Sequence, residues 1–221
     1  AHRVVSPSDY VVDVFRKHGM DASRIYNILN VDQFPFRQRF GLAPRFLTTR
    51  ILEPLYNVDC ILRAYQLLQK EYPDAFLTIA HDGPSRSYLE NLAHELGLKN
   101  YKFLGRVPHS HIRELYGEAD IYLTTPDWDC MPGSLLECHA SGLPVIATAV
   151  GGIPHIVEHE RNGLLIQRND HEGLAAAALR LLNDAELVEK LTINGRADCE
   201  KYSWDKVRDQ WLDVYSDLMK E

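Results

Sequence analysis

The residues best suited to chemistry lie together in segment 127–137, around the predicted start of a helix. Pro132 suits the first turn of that helix, because its missing N–H would have no partner there. The amides of Gly133, Ser134 and Leu135 would then be free donors at the positive end of the helix dipole. Since glycine also allows a ligand to approach closely, the segment predicts a site for an anion such as phosphate.

Two carboxylates flank this predicted anion site. Asp129 lies in the loop before the helix, and Glu137 lies about one and a half turns into it, so both can line one pocket. Carboxylate oxygens accept hydrogen bonds, which suits them to the hydroxyl groups of a sugar. The spacing alone also fits an ordinary loop followed by a surface helix, so it does not by itself establish a site.

The elements that must position these residues alternate along the chain. Short apolar runs and helical patterns follow one another, which predicts an α/β fold with a Rossmann-like parallel sheet and helices on both faces. Helical spacing is clear over 58–68 and 89–96, and a longer helix with an aromatic stripe is expected over 203–219. Residues 30–44 are expected to form a linker. The candidate strands are residues 2–6, 25–29, 45–52, 75–80, 101–104, 120–124, 144–148 and 163–166.

The composition restricts the classes of function. Lys and Arg total 24 against 31 Asp and Glu, and the net charge of −7 argues against binding to nucleic acid or an anionic membrane, although it allows a local basic pocket. The four cysteines are scattered and contain no CxxC pair, which predicts free thiols in a reducing compartment. No apolar run approaches the roughly twenty residues of a membrane span. A cytoplasmic protein without a nucleic-acid partner is therefore expected.

Segment 127–145 resembles the signature of the retaining GT-B glycosyltransferases of group 1. That signature has a Glu, seven intervening residues, a second Glu, and then Ala-Met-Ala-x-Gly-x-Pro-Val. Asp129 stands at the first Glu and Glu137 at the second, and residues 138–145 continue the match. The resemblance implies that Glu137 binds the ribose hydroxyls of a nucleotide-sugar donor. It also implies that Asp129, which has a shorter reach than Glu, holds the transferred sugar.

Other fragments follow in the order that the family has. Residues 147–154 resemble its glycine-pair loop, and the turn around Gly83 resembles the loop that precedes the next helix. The resemblance implies that the backbone around Gly105, Arg106 and Val107 meets the base of the donor. It thus adds Gly83 and these three residues to the expected donor site.

The resemblance also predicts the domain organisation, as the C-terminal half of a GT-B fold. Residues 1–38 correspond to the end of an N-terminal domain and the interdomain linker, 39–202 to the nucleotide-sugar-binding Rossmann-like domain, and 203–221 to a C-terminal crossover helix. The acceptor, a sugar, lipid or polysaccharide, would bind to an N-terminal domain absent from this chain. That domain would also carry any peripheral membrane association, and the isolated fragment is expected to be inactive.

One departure from the family concerns the diphosphate of the donor. Relatives usually carry an Arg and, about five residues later, a Lys, and the charges of both bind the phosphates. Arg50 matches the Arg, but Tyr56 stands near the position of the Lys, where it can donate one hydrogen bond without supplying a cation. Stabilisation of the leaving group is therefore expected to be weaker or to come from elsewhere.

The resemblance implies transfer of a hexose-type sugar from a UDP- or GDP-sugar, with retention of anomeric configuration and without a metal or other cofactor. Arg50 and the amides of Gly133, Ser134 and Leu135 would stabilise the departing diphosphate. Together with Asp129 and Glu137, Arg50 is one of the three predicted catalytic residues. Tyr56 is expected to add a contact to the donor.

Other functions are compatible with parts of the sequence. The missing Lys also fits a non-catalytic sugar-nucleotide sensor or assembly partner, and a nucleotide-sugar epimerase would share the fold. A dinucleotide-dependent oxidoreductase is disfavoured, because no G-x-G-x-x-G follows the early strands. The spacing of His155 with His159, and of His109 with His111, raises a zinc site, but neither pair has an obvious third ligand.

Overall fold

The computed structural model describes residues 3–220, so His2, at the start of the first predicted strand, lies outside the described residues. The strands are β1 (Val5–Ser6), β2 (Ser23–Arg24), β3 (Arg45–Thr48), β4 (Phe76–Ile79), β5 (Tyr101–Phe103), β6 (Ile121–Thr124), β7 (Val145–Thr148) and β8 (Leu164–Ile166). The α-helices are α1 (Asp9–Lys17), α2 (Val58–Glu71), α3 (Arg86–Glu95), α4 (His109–Glu118), α5 (Gly133–Ala140), α6 (His171–Asn183), α7 (Ala185–Asp198) and α8 (Trp204–Leu218).

The main sheet is parallel and has the strand order β5-β4-β3-β6-β7-β8, while β1 and β2 pair separately. Strand β3 pairs with β4 on one side and with β6 on the other, so the direction in which strands are added reverses between β3 and β6. In open parallel sheets, ligands bind outside the carboxyl ends of the strands at such a reversal. The topology therefore directs attention to the segments that follow β3 and β6.

Helices cover both faces of the main sheet. Neighbouring residues of a strand point to opposite faces, and the packing of β3 follows this rule. Phe46 belongs to an apolar cluster with residues of α2, α3 and α6, whereas Leu47 belongs to a second cluster with residues of α4 and α5. The predicted α/β fold, a parallel sheet between two helical layers, is confirmed.

The predicted strand over 25–29 is wrong. The strand in this region is β2, and Ile25 continues its pairing with β1 by donating to the Ser6 carbonyl oxygen at 3.1 Å. Of the residues that follow β2, Ile25 and Leu29 are buried, whereas Asn27 and Ile28 are exposed. The amide of Leu29 instead donates to the carbonyl oxygen of Tyr202 at 2.9 Å, just before α8. A short apolar run indicates that some of its side chains are buried, but it does not show whether the segment is a strand or irregular. Helix α1 was not predicted.

The segment expected to be a linker is held against the sheet domain through Arg39. Its buried guanidinium donates hydrogen bonds to the carbonyl oxygens of Ser141, Gly142, Tyr116 and Ala119. Burial lowers the pKa of Arg39 to about 10. These bonds fix the segment before β3 against the ends of α4 and α5. The domain boundaries expected from the sequence stay predictions.

The predicted terminal helix is confirmed as α8. It begins after Ser203, whose hydroxyl makes no capping hydrogen bond, and Val207 is its buried contact with the rest of the chain. Trp204, Leu212 and Tyr215 are more than half exposed. Among residues 3–220, no helix combines the length and the apolarity that crossing a bilayer would need.

Candidate functional site

Arg50 and Asp129 meet at the reversal of the sheet. Arg50 follows β3, and Asp129 lies in the loop between β6 and α5. The Arg50 Nη2 donates to Asp129 Oδ2 at 2.5 Å, and its Nη1 lies 3.4 Å from Ser134 Oγ at the start of α5. The side chains of Arg50 and Asp129 are 13% and 14% exposed. The guanidinium of Arg50 is thus held at the carboxyl ends of β3 and β6, and the carboxylate of Asp129 balances its charge.

Tyr56 packs on the guanidinium of Arg50. The ring centroid lies 4.2 Å from Arg50 Cζ, which is the geometry of a cation–π contact. The sequence predicted a contact from Tyr56 to the donor, whereas in the described chain the ring contacts Arg50. We refer to Arg50, Tyr56, Asp129 and Ser134 as the Arg50 pocket.

The start of α5 differs from the prediction in two ways. Pro132 is the residue before the first helical turn, and Gly133 opens the helix. The amide of Leu135 is not free, because it donates to the carbonyl oxygen of Pro132 at 3.1 Å. In the part of the chain that the structure describes, the amides of Gly133 and Ser134 have no recorded partner. An added Cβ at Gly133 would meet nothing within 4 Å, so open space lies in front of this helix start.

Glu137 lies further along α5 and has its own partners. Its Oε2 accepts a hydrogen bond from the Tyr116 hydroxyl at 2.7 Å, and its Oε1 lies 3.0 Å from His109 Nε2. Burial raises the pKa of Tyr116 well above its usual value, so this hydroxyl remains a donor to the carboxylate. Tyr116 was not predicted as a site residue, and the spacing of His109 with His111 raised only a metal site. The apolar and aromatic pattern of α4 gave no sign of these contacts to Glu137.

The glycine pair Gly151–Gly152, in the connection between β7 and β8, supports the loop that carries Asp129. The amide of Gly152 donates to the Asp129 carbonyl oxygen at 2.8 Å. A Cβ added at Gly151 would overlap that same oxygen, and one added at Gly152 would overlap the carbonyl oxygen of Cys130. Gly151 also has φ +53°, which favours glycine. Close backbone contact therefore explains both glycines and positions Asp129.

We expect Gly152→Ala to destabilise the fold by about 1–3 kcal/mol, because backbone atoms must move to admit the methyl group. Thermal unfolding would measure the loss as a lower Tm. The matched control is Gly117→Ala, since a Cβ at that helical position meets nothing within 4 Å. A Gly152→Ala protein with the Tm of the control would contradict this account of the loop.

Gly83 supports the other side of the Arg50 pocket. A Cβ added there would overlap the backbone of Leu52, two residues after Arg50. The backbone of Leu52 is itself held in place, because its amide donates a hydrogen bond to the carbonyl oxygen of Asp82 at 3.2 Å. Packing accounts for the glycine, and a contact of Gly83 with a donor stays a prediction.

Residues 105–107 follow β5, two strands away from β3. Gly105 has φ +72°, a conformation that favours glycine, while Arg106 is exposed and Val107 half-buried. The fold thus brings Arg50, Tyr56, Asp129 and Ser134 into direct contact, whereas residues 105–107 follow a strand two positions along the sheet. Their contact with a base stays a prediction.

The histidines do not form a metal site within residues 3–220, where no group of three His, Cys, Asp or Glu side chains could hold an ion. His139, part of the family signature, points into the interior on α5. An added Cβ at Gly195 would lie 2.9 Å from its ring, so the glycine allows α7 to pack closely on it. Burial lowers the pKa of His139 to about 4, which keeps it neutral near pH 7.

An α/β domain with a fixed cation and a helix start at the reversal of its sheet has the features of the doubly wound nucleotide-binding class. The family model for glycosyl transferases group 1 matches residues 33–198. This match covers more than half of the chain, which therefore belongs to that family.

Known relatives and solved structures agree. An uncharacterized glycosyltransferase of Methanocaldococcus jannaschii is 32% identical over 166 residues, which are 74% of this chain and 42% of the relative. Anabaena HepE in complex with UDP-glucose superposes with a TM-score of 0.88 at 19% identity, covering 98% of this chain and 64% of that one. The C-terminal domain of a group 1 protein from Francisella tularensis gives 0.70 at 21% identity, covering 79% and 98%. The predicted C-terminal half of a GT-B fold is confirmed, and the chain spans less than half of this curated relative.

Proposed function

We propose that this chain is the donor-binding domain of a retaining hexosyl-type transferase that uses a UDP- or GDP-sugar. The observation that carries the proposal is the Arg50 pocket, where Arg50 lies beside the start of α5 and next to Asp129. A guanidinium and free helix amides suit a diphosphate, and an adjacent carboxylate suits sugar hydroxyls. The UDP-glucose bound to Anabaena HepE, which has the same fold, supports a uridine nucleotide and a hexose.

In this proposal, Arg50 and the amides of Gly133 and Ser134 hold the diphosphate and stabilise the charge that develops as it leaves. The bond between the anomeric carbon and the diphosphate oxygen breaks, and a bond to the acceptor oxygen forms on the same face of the sugar. The acceptor proton passes to the departing diphosphate. Asp129 accepts hydrogen bonds from the transferred sugar, and no metal takes part.

The acceptor is proposed to bind to a part of the enzyme outside this chain, which spans 42% of the Methanocaldococcus relative. The chain should therefore bind a nucleotide sugar without transferring it. Incubation with UDP-glucose and a panel of sugar acceptors would test this, with product measured by mass spectrometry. Transfer by this chain alone would overturn the proposed division of labour.

Glu137 is proposed to bind the ribose of the donor, and this role gives a specific test. We expect the chain to bind UDP or GDP more tightly than the corresponding 2′-deoxy nucleotide, because a hydroxyl bonded to a carboxylate contributes roughly 1.5–3 kcal/mol. Glu137→Gln should remove most of that difference, which calorimetric titration would measure. Glutamine keeps the size of the side chain but loses its charge.

Glu114→Gln is the matched control, since Glu114 is an exposed acid on α4, the helix that also carries His109 and Tyr116. It should leave the preference for the ribonucleotide unchanged. Equal binding of ribo- and deoxyribonucleotides by the original chain would contradict the role of Glu137. Failure of both UDP and GDP to bind would contradict the proposed function itself.

A further inference from the structure

Tyr56 sits on a rigid turn directly before α2. It ends a 3₁₀ turn whose last amides donate to the carbonyl oxygens of Glu53 and Pro54 at 3.0 Å. Asn57 follows in a left-handed conformation, and its side chain accepts a hydrogen bond from the backbone amide of Cys60. The backbone on both sides of Tyr56 is therefore held in place, so the fold fixes the point from which its side chain extends.

The guanidinium of Arg50 has few other restraints. One strong bond, to Asp129 at 2.5 Å, and one long contact, to Ser134 at 3.4 Å, hold its two terminal nitrogens. Its Nε is buried and has no hydrogen-bond partner within the described residues. Of the five N–H donors of an arginine, three therefore have no partner in the described chain, and the one at Nε is among the buried atoms. The Cζ of Arg50 lies over the ring of Tyr56, 4.2 Å from its centroid, so the ring packs against the guanidinium.

We propose that Tyr56 is a positioning residue, whose ring holds the guanidinium of Arg50 in the orientation that binds the diphosphate. This inference rests on the proposed function of the Arg50 pocket. A ring packed against the guanidinium limits its rotation, and the N–H donors without a partner can then bind the ligand in a fixed orientation. The affinity gained in this way comes from preorganisation of the Arg50 guanidinium. Tyr56 does not supply the second positive charge that a Lys near this position would add. The Tyr56 hydroxyl is not required.

The test compares Tyr56→Phe with Tyr56→Leu in this chain, titrated calorimetrically with UDP and with GDP. The phenylalanine variant keeps the ring and should bind like the original chain. The leucine variant loses the ring and should bind the diphosphate on the order of tenfold more weakly. Uridine and guanosine, which lack phosphate, should bind both variants equally by ligand-observed NMR, because Arg50 does not contact the nucleoside.

A double-mutant cycle separates positioning from direct contact. If Tyr56 acts through Arg50, Tyr56→Leu should have no further effect once Arg50 is replaced by Gln. Tyr215→Leu, which removes an exposed ring from α8, is the matched control, and Tm values establish that each variant is folded.

Three results would overturn the inference while leaving the proposed function intact. A loss of affinity in Tyr56→Phe would assign the effect to the hydroxyl. Full affinity in Tyr56→Leu would remove the role of the ring. An additive loss in the double variant would show that Tyr56 acts independently of Arg50. If the original chain binds neither UDP nor GDP, the proposed function fails and the inference fails with it.

Discussion

Replacing Arg50 by Gln is expected to weaken the binding of UDP or GDP about a hundredfold. Hydrogen bonds to charged groups contribute roughly 1.5–3 kcal/mol, and each 1.4 kcal/mol is about tenfold in affinity. The substitution also leaves the Asp129 carboxylate, 14% exposed, without its cation and beside the diphosphate. Repulsion then adds to the lost attraction. Calorimetric titration at low ionic strength would measure the change, since salt screens such interactions.

Arg168→Gln provides the matched control for this experiment. Arg168 binds both carboxylate oxygens of Asp127 at 2.8 and 2.9 Å, so it is also an arginine paired with an acid of the same loop. Its side chain is 56% exposed, and an exposed pair contributes little. We expect its removal to change nucleotide affinity by less than about twofold. Equal losses in both variants would indicate a general electrostatic effect, and no loss in Arg50→Gln would contradict the pocket.

The fold class was predictable because local patterns determine it. Buried parallel strands are short and apolar, and their alternation with amphipathic helices is visible without any knowledge of contacts. The same reasoning failed at residues 25–29, where only Ile25 and Leu29 are buried and the Leu29 amide bonds to the Tyr202 carbonyl oxygen. Helix α1 also escaped prediction, since a short amphipathic helix beside an unassigned segment resembles an irregular loop.

The four residues of the Arg50 pocket and Glu137 were predicted individually, but their pairings were not, and Tyr116 was missed. Arg50 and Asp129 are 79 positions apart, and Glu137 and His109 are 28 apart. Spacing along the chain places a residue on an element, whereas only the tertiary fold decides which side chains meet. The histidine pair near residue 109 was therefore weighed as a metal site, although one member contacts Glu137 instead.

The departure from the family at Tyr56 also gains a physical explanation from the fold. Sequence comparison treats the residue as a missing cation near the diphosphate. In the structure, its ring packs on the cation that remains, and Asp129 pairs with the same guanidinium. The pocket thus has one guanidinium, one carboxylate and the dipole of α5, so its charge before ligand binding is close to balanced. The Asp129 carboxylate consequently has two opposed effects on the donor: it competes with the diphosphate for Arg50, and it accepts hydrogen bonds from the sugar.

Asp129→Asn is expected to change the binding of UDP and UDP-glucose in opposite directions. The carboxylate at 2.5 Å from Arg50 Nη2 competes with the diphosphate for the guanidinium. Asparagine removes the negative charge but keeps a carbonyl oxygen of similar reach, so the affinity for UDP should rise by roughly threefold to tenfold. The same change weakens acceptance of sugar hydroxyls, so the advantage of UDP-glucose over UDP should fall.

This opposition distinguishes the proposed role of Asp129 from a purely structural one. A variant with a damaged loop would lose affinity for both UDP and UDP-glucose. Removal of a competing charge would instead raise the affinity for UDP. Asp127→Asn is the matched control, because its carboxylate pairs with Arg168 and not with Arg50. It should alter neither affinity, and its Tm would report any disturbance of the shared loop. Weaker binding of UDP to a folded Asp129→Asn protein would contradict the competition, while an unchanged ratio of UDP-glucose to UDP affinity would remove Asp129 from the sugar site.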